Sequence, residues 1–280
     1  MAERPEISCV VPAYQSPALL ARTLMSIVTQ TSVAPEIIVA DDSTEADVRR
    51  LVEGLAGLYP NIRYVPGAHT GNPVDNWNLG LDQAAGRRVM LVHHDDFFCD
   101  SGFLRRALDR LDRGEGEVLA AGHGLAGRGA RSRFALASTL ASRLRLGPWT
   151  LYAINWIGPP AVVMFPREPV IRFDARLCWL VDVDFYVRLL RPGVRLIRDE
   201  ALSVVSLRHA GQITARVDAR LLTLREIQLL GATDRGRLGP LPALLLAYAA
   251  SRVPPWRWRR PEAALRADRS IPSATARTGS

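Results

Sequence analysis

The sequence predicts an α/β protein with a mostly parallel, Rossmann-like sheet and helices on both faces of that sheet. Over residues 1–120, short apolar runs typical of buried strands alternate four times with amphipathic helical patterns. The last of these runs, Val89–Val92, continues directly into His93-His94-Asp95-Asp96. Polar residues that follow a buried strand lie at the carboxyl edge of the sheet, where open α/β sheets bind their ligands.

Each strand–helix unit of the first half has its own sequence signature. Strands are expected at residues 7–12, 36–40, 62–65 and 89–98. The helix after each strand is marked by apolar residues at helical spacing, which begin at Leu20, Val48, Val74 and Phe103. Asn72 is expected to cap the third helix, and Thr44 with Asp47 fits the spacing of a capping box for the second.

The alternation stops after residue 120. Residues 121–147 are rich in Gly, Arg, Ser and Ala and have no clean period, so we expect a loop or a loosely attached helix over the active edge. The later patterns predict a strand ending near Phe165, a helix over 179–190, short strands near Leu196 and Val204, and a helix near 217–230. We therefore divide the chain into residues 1–120, residues 121–235 of the same domain, and a C-terminal helical extension with a disordered tail, residues 236–280.

Composition narrows the class of protein and its compartment. The formal net charge of +8 suits acidic partners such as nucleotide diphosphates or anionic lipids, and no motif supports nucleic-acid binding. The three cysteines lie far apart, which indicates reduced thiols in a cytosolic setting. The chain start does not have the pattern of a signal peptide, and no apolar run reaches the roughly 18–20 residues that span a bilayer. We therefore expect a cytoplasmic protein.

The C-terminal extension allows a peripheral membrane contact. Residues 241–250 are largely apolar, and tryptophan alternates with arginine over residues 256–260. Such a segment can lie in a membrane interface. A helix that closes the domain and ends in a solvated basic stretch explains the same pattern equally well.

Adjacent carboxylates are the strongest chemical signal in the sequence. Asp95 and Asp96 would repel each other unless a positive group lies beside them, and a divalent cation that carries a phosphorylated ligand meets this need. The neighbouring His93 and His94 also suggest zinc. They alternate faces in an extended segment, however, so both cannot easily bind one ion.

Three further candidates each have a structural and a functional explanation. Asp42 ends the second strand, where it can complement a helix dipole or accept hydrogen bonds from a nucleotide. Asp182 can likewise favour a helix start or act as a general base, whereas Asp184 is expected to pair with Arg188 four residues later. His209 is either a ligand of a metal or phosphate or an ordinary loop histidine.

The chain resembles the family 2 glycosyltransferases, which have the GT-A fold, over about residues 5–230. The resemblance rests on the order of six segments: Pro12–Tyr14, Val39–Ser43, Gly71–Pro73, Trp77–Asn78, His93–Asp96 and Val181–Phe185. It implies an inverting transfer of a hexosyl or deoxyhexosyl group from a UDP- or dTDP-sugar to an acceptor hydroxyl, assisted by Mg²⁺ or Mn²⁺. The acceptor is a glycan, a lipid-linked glycan or a secondary metabolite.

The resemblance also implies roles for individual residues. Residues 1–120 would bind the nucleotide-sugar and residues 121–235 the acceptor, with Asp182 as the catalytic base. The residues implied in donor binding are Pro12, Ala13, Tyr14, Asp42, Asn76 and His94. The implied metal ligands are Asp95, Asp96 and His209.

Two positions differ from the family pattern and leave a second hypothesis open. His93 stands where the first Asp of the metal motif is usual, and Val181 where a Glu often precedes the base. The alternative is a catalytically silent GT-A scaffold that binds a nucleotide-sugar or a partner. A nucleotidyltransferase is disfavoured because no glycine-rich, basic phosphate loop follows the first strand.

Overall fold

The structure, a computed structural model of the chain, describes residues 4–111, 116–126, 147–152, 154–207 and 219–233. Within these residues, eight strands form one mixed sheet: β1 Ile7–Ala13, β2 Glu36–Asp41, β3 Ile62–Pro66, β4 Arg88–Leu91, β5 Asp96–Phe98, β6 Glu117–Leu125, β7 Val163–Pro166 and β8 Arg195–Ser206. Their order across the sheet is β3-β2-β1-β4-β7-β6-β8-β5. Apolar side chains of strands and helices pack on its faces in a continuous core. The α/β prediction is confirmed.

The first four strands are parallel and form one side of the sheet. They are β1 Ile7–Ala13, β2 Glu36–Asp41, β3 Ile62–Pro66 and β4 Arg88–Leu91. β1 and β2 are almost entirely buried because their apolar runs are nearly unbroken, as expected of strands covered on both faces, whereas the edge strand β3 is only partly buried. The chain moves outward from β1 to β2 and β3 and then returns to the other side of β1 as β4. The carboxyl ends of β1 and β4 therefore form a topological switch point.

Four helices accompany these strands: α1 Pro17–Val28, α2 Asp47–Ala56, α3 Pro73–Gln83 and α4 Phe103–Arg110. Asn72 caps α3 as predicted, because its side chain accepts a hydrogen bond from the Val74 N–H at 3.0 Å. The capping box predicted for α2 is wrong. The N-cap is Ala46, and the Thr44 hydroxyl instead accepts a hydrogen bond from Gln15.

The predicted single strand over 89–98 is also wrong. A turn, in which the Asp96 N–H donates to the His93 carbonyl at 2.9 Å, separates β4 from a short strand β5, Asp96–Phe98. β5 pairs antiparallel with β8, at the far edge of the strand order. The polar residues of this stretch thus lie in a turn between two strands.

The second half completes the sheet with β6 Glu117–Leu125, β7 Val163–Pro166 and β8 Arg195–Ser206. β7 is antiparallel to β4 and β6, and β6 is parallel to β8. β6 continues five residues past Ala120, so the irregular segment predicted from residue 121 begins too early. The two strands predicted near Leu196 and Val204 are one strand, interrupted by a register shift opposite Ala121 and Gly122 that breaks the apolar pattern.

Two helices follow in the described part of the second half: α5 Val181–Leu189 and α6 Ala219–Thr233. Both coincide closely with the predicted ones. The predicted division at residue 120 falls within β6, so the two halves share a sheet. None of the helices described here is long and apolar enough to cross a membrane. The C-terminal extension predicted over residues 236–280 lies outside the described residues.

Candidate functional site

The switch point brings together the ends of β1, β2 and β4. The Val92 N–H donates to the Val10 carbonyl at 2.8 Å, and the Asp42 N–H donates to the Ala13 carbonyl at 3.1 Å. Pro12 and Ala13 are buried in β1, and Tyr14 emerges from it with 38% of its surface exposed. The predicted donor-binding segment therefore ends at the carboxyl edge of the sheet.

Asp41 and Asp42 play different parts at the end of β2. The buried Asp41 carboxylate accepts hydrogen bonds from the Ser43 N–H at 2.9 Å and from the Tyr64 hydroxyl at 3.0 Å. Asp42 accepts from the His69 N–H at 2.7 Å, and this hydrogen bond holds the loop after β3 against it. Asp41 thus has two internal partners, whereas Asp42 lies at the surface of the crevice with a side chain only 10% exposed.

Asn76 projects from α3 into the space between β1 and β2. Its amide donates to the Ala40 carbonyl at 2.8 Å and to the Ala13 carbonyl at 3.4 Å. These two contacts fix the orientation of the amide. The opposite atom, Oδ1, is buried without a hydrogen-bond partner among the described residues.

A chain of polar contacts starts in the turn after β4. His93 Nδ1 lies 3.4 Å from Asp96 Oδ2, and Asp96 Oδ1 accepts a hydrogen bond from the Ser206 hydroxyl. The same hydroxyl lies 2.8 Å from His123 Nε2. Both carboxylate oxygens of the buried Asp96 therefore have protein partners.

Asp95 is the other carboxylate of this turn. His94 and Asp95 are half-buried, and their carbonyls accept hydrogen bonds from Thr23 and from the Leu207 N–H. Within the described ranges, no three His, Cys, Asp or Glu side chains form a cluster that could hold a metal ion by themselves. His209 lies outside those ranges.

A divalent cation fits this edge only if a ligand supplies part of its coordination. Mg²⁺ is commonly bound by one or two carboxylates together with phosphate oxygens and waters. Asp95 matches that arrangement. Asp96 would first have to give up its contact with Ser206 or with His93, and it stays a predicted ligand.

Asp182 occupies the first turn of α5. One carboxylate oxygen accepts from the Asn155 amide at 2.9 Å, and the other accepts from the Val183 N–H at 2.8 Å. Asn155 is held in turn, because its Oδ1 accepts from the Ile157 and Gly158 N–H groups at 3.1 and 2.9 Å. The Asp182 side chain is therefore fixed from two sides.

The environment of Asp182 suits proton transfer near neutral pH. Burial raises its pKa to about 6, while hydrogen bonds from Val183 and Asn155 and the charge of His93 act in the opposite direction. Burial opposes protonation of His93, but the Asp96 hydrogen bond and the charges of Asp96, Asp95 and Asp182 raise the His93 pKa above its ordinary value. These mutual influences show that the turn after β4 and the start of α5 face one another.

Asp184, two residues after Asp182, has a structural role. Its fully buried carboxylate accepts from the Tyr152 hydroxyl at 2.9 Å and from Arg188 Nε at 2.7 Å. The predicted pair with Arg188 is confirmed. Of the two acids on this helix, Asp182 is the one directed toward the turn after β4.

Three of the groups that shape the site are not among the site residues predicted from the sequence. Asn155 holds Asp182, Ser206 bridges Asp96 and His123, and Glu226 accepts backbone hydrogen bonds just before α5. An Asn three residues before Gly158 suggests a side-chain turn, and a lone acid among the apolar positions of α6 suggests a buried carboxylate. Ser206 has no such signal, because its role depends on the pairing of β5 with β8.

Comparison with known proteins agrees with this geometry. A mannosyltransferase from Pyrobaculum calidifontis, in complex with GDP-Man and Mn²⁺, superposes with a TM-score of 0.61 at 18% identity, covering 95% of this chain and 80% of the other. S. aureus TarS 1–349, in complex with UDP-GlcNAc, superposes with a TM-score of 0.63 at 19% identity, covering 88% and 72%. The chain therefore has the GT-A fold.

Sequence relatives cover shorter stretches. An uncharacterized protein of Mycobacterium tuberculosis is 33% identical over 218 residues, which is 70% of this chain and 66% of the relative. The GalNAc(5)-diNAcBac-PP-undecaprenol β-1,3-glucosyltransferase of Campylobacter jejuni is 32% identical over 115 residues, or 41% of this chain and 37% of the relative. The chain thus spans less than two thirds of the length of these relatives. The family model described as glycosyl transferase family 2 matches residues 8–180, and the chain belongs to this family.

Proposed function

We propose that the protein is an inverting glycosyltransferase that moves a sugar from a nucleoside-diphosphate sugar to an acceptor hydroxyl. The observation that carries this proposal is the convergence of Asp182 with the His93–Asp96 turn across the switch point. Displacement at an anomeric carbon is helped by a base that activates the acceptor hydroxyl. It is also helped by a carboxylate that binds the cation associated with the departing phosphate group.

Asp182 is the proposed base. Its carboxylate takes the proton of the acceptor hydroxyl as the acceptor oxygen bonds to the anomeric carbon. The bond from that carbon to the diphosphate oxygen breaks on the opposite face, and the nucleoside diphosphate leaves with the electron pair. A pKa of about 6 leaves Asp182 ionised at neutral pH while keeping it basic enough to accept the proton.

The metal site is proposed at the same edge. Asp95 would be the main protein ligand, with Asp96 and His209 as further candidates. When bound, Mg²⁺ or Mn²⁺ neutralises charge that develops on the departing diphosphate. The presence of Mn²⁺ in the P. calidifontis mannosyltransferase supports this choice of ion.

The donor would lie across the ends of β1 and β2. Asp42 would offer a hydrogen-bond acceptor to a base or ribose, with Pro12, Ala13, Tyr14, Asn76 and His94 as the further donor-binding residues of this proposal. Structural neighbours bind UDP-GlcNAc and GDP-Man, which supports a nucleoside diphosphate sugar. Among these, we propose a UDP- or dTDP-sugar.

The acceptor is proposed to be a glycan, a lipid-linked glycan or a secondary metabolite. The C. jejuni relative is named for an undecaprenol-linked substrate, which supports a lipid-linked acceptor here. Such an acceptor would bring a cytoplasmic enzyme to the membrane surface, where the apolar and basic residues 241–260 can contact lipid.

A donor screen followed by a turnover assay tests the function. Thermal unfolding is measured with UDP-, dTDP- and GDP-sugars, with and without Mn²⁺, because a ligand that binds the folded state raises the unfolding temperature. The stabilising donor is then incubated with an acceptor pool while nucleoside diphosphate release is followed. We expect a sugar product of inverted anomeric configuration by NMR, and a retained configuration would contradict the mechanism.

Two substitutions separate donor binding from chemistry. Asp95→Ala should abolish Mn²⁺-dependent donor binding in calorimetry, whereas Asp182→Asn should bind the donor and lose turnover. Asp109→Asn, an exposed acid on α4, is the matched control and should change neither. Donor binding without transfer or donor hydrolysis in the unmodified protein would favour the silent scaffold instead.

A further inference from the structure

Glu226 is a buried carboxylate whose hydrogen bonds all go to one short stretch of backbone. It lies on α6, and only 4% of its surface is exposed. One oxygen accepts from the Cys178 and Trp179 N–H groups at 2.7 and 3.0 Å. The other accepts from the Trp179 and Leu180 N–H groups at 3.1 and 2.7 Å. Three consecutive backbone donors thus share one carboxylate.

These donors stand immediately before the helix that carries Asp182. α5 begins at Val181, and its N-cap residue, Leu180, has no side chain that can cap a helix. The Leu180 carbonyl accepts the first helical hydrogen bond from the Asp184 N–H at 2.8 Å. Glu226 therefore supplies from a distant helix the negative charge and acceptor oxygens that a local cap usually provides.

Both oxygens and the charge are needed for this arrangement. Burial raises the pKa of Glu226 above its ordinary value, and the N–H groups of Leu180, Cys178 and Trp179, followed by the Arg225 charge, act in the opposite direction. A glutamine at this position would place an NH₂ group against one or two backbone donors. An aspartate would keep the charge but be one methylene shorter.

We propose that Glu226 is a positioning residue for Asp182: by holding residues 178–180 it fixes the first turn of α5 and thereby the direction of the Asp182 carboxylate. This inference rests on the proposed function, because it assigns the base role to Asp182. Glu226 does not touch substrate. It acts on the step in which the acceptor loses its proton and has no part in donor binding, since the predicted donor-binding residues lie at the ends of β1 and β2, on α3 and in the turn after β4.

The matched control is a partly buried carboxylate that also accepts a hydrogen bond from a backbone N–H group. Glu36, at the amino end of β2, accepts from the Ser8 hydroxyl at 2.5 Å and from the Ala85 N–H at 2.8 Å. Glu36→Gln and Glu226→Gln make the same chemical change at opposite edges of the sheet. Both should lower the unfolding temperature, and only the second should alter chemistry.

The test compares kcat, donor Kd and thermal unfolding for Glu226→Gln, Glu226→Asp and Glu36→Gln, at a temperature where each is folded. We expect Glu226→Gln to lower kcat about tenfold to a hundredfold, as misplacement of a catalytic group does, with donor Kd unchanged within about twofold. Glu226→Asp should have a kcat between those of Glu226→Gln and the unmodified protein. If Glu226→Gln does not fold, the kcat of Glu226→Asp is compared with that of Glu36→Gln instead. Glu36→Gln should keep its kcat.

The outcomes distinguish this inference from the function on which it depends. If Asp182→Asn turns over normally, the base assignment fails and the role of Glu226 fails with it. If Asp182→Asn is inactive but both Glu226 variants keep their kcat, only the positioning role is overturned. An equal loss of kcat in Glu36→Gln would also overturn it, because the effect would then be one of general stability.

Discussion

Asp182 illustrates how neighbouring groups set the orientation and the pKa of a single side chain. Its carboxylate has lost much of its contact with water, and Asn155 and the Val183 N–H compensate only in part, so its pKa stands at about 6. A carboxyl group whose pKa is raised in the fold favours the protonated form. Its ionisation therefore weakens the fold as pH rises from 3.8 through about 6. Holding an ionised carboxylate at this buried position therefore lowers the free energy of unfolding at neutral pH.

The pH dependence of turnover should show this base. We expect kcat/KM to rise about tenfold per pH unit below the pKa of Asp182 and to level off above about 6, because only the ionised carboxylate accepts the proton. Asn155→Ala removes a hydrogen bond that lowers this pKa, so the acidic limb should move to higher pH. A limb that stays in place in Asn155→Ala would show that another group controls the profile.

Asp41 offers a residue-scale test of stability. Tyr64→Phe removes the hydroxyl that donates to the buried Asp41 carboxylate, leaving an unsatisfied oxygen whose cost is about 1–3 kcal/mol in unfolding free energy. Urea denaturation measures this loss. The control is Tyr59→Phe, since the Tyr59 hydroxyl has no hydrogen-bond partner within the described residues while its ring packs on the same core. Equal losses in the two variants would refute the role of the hydrogen bond.

At the scale of elements, apolar periodicity predicts those helices and strands whose formation depends on their own local sequence. The parallel strands and α1 to α4 follow from runs and spacings that each segment carries by itself. The break between β4 and β5 could not be predicted in this way, because it depends on a turn hydrogen bond and on pairing with β8, more than 100 residues later. The same holds for the candidate site. Asp95 and Asp182 could be singled out from sequence motifs, whereas the hydrogen-bond partners of Asp96 could not, because they depend on strand pairing between distant segments.

The loop after β3 gives a prediction at this scale. A Cβ on Gly67 would lie 2.7 Å from both the Asp41 carbonyl and Asp42 Oδ1, so the loop or the Asp42 side chain would have to move. Gly67→Ala should therefore weaken donor binding about tenfold in calorimetry, equal to about 1.4 kcal/mol. Gly54→Ala, on α2 with no atom within 4 Å of the added methyl group, should leave it unchanged. Unchanged affinity in Gly67→Ala would argue against a donor role for Asp42.

At the scale of the whole molecule, charge and composition bear on where the protein works. The net charge of +8 and the arginine and tryptophan residues at 256–260 favour contact with an anionic surface. Composition alone does not identify the acceptor, because a nucleotide, a lipid headgroup and a charged glycan all attract the same basic protein. The second half of the chain was also the least predictable from sequence, since its strands pair across long separations.

Membrane contact can be tested on the complete chain. Replacing Trp256 and Trp258 together by alanine should reduce co-sedimentation with anionic phospholipid vesicles about fivefold or more, because these rings would anchor the basic segment in the interface. Trp149→Ala, which replaces a partly exposed tryptophan among the described residues, is the control. If the double variant still binds the vesicles and this binding disappears in high salt, the contact is electrostatic and does not depend on the two tryptophan rings.

The position of β5 has a consequence for the shape of the sheet. In a flat sheet, the strand order would put β5 four strand spacings from β4, or about 19 Å. The link from Leu91 to Asp96 spans at most about 17 Å when fully extended, and its turn shortens it further. The sheet must therefore curl, so that its edge strand β5 comes back close to the end of the central strand β4. The candidate site lies where this edge returns, because Asp96 begins β5 and His93 stands in the turn that follows β4.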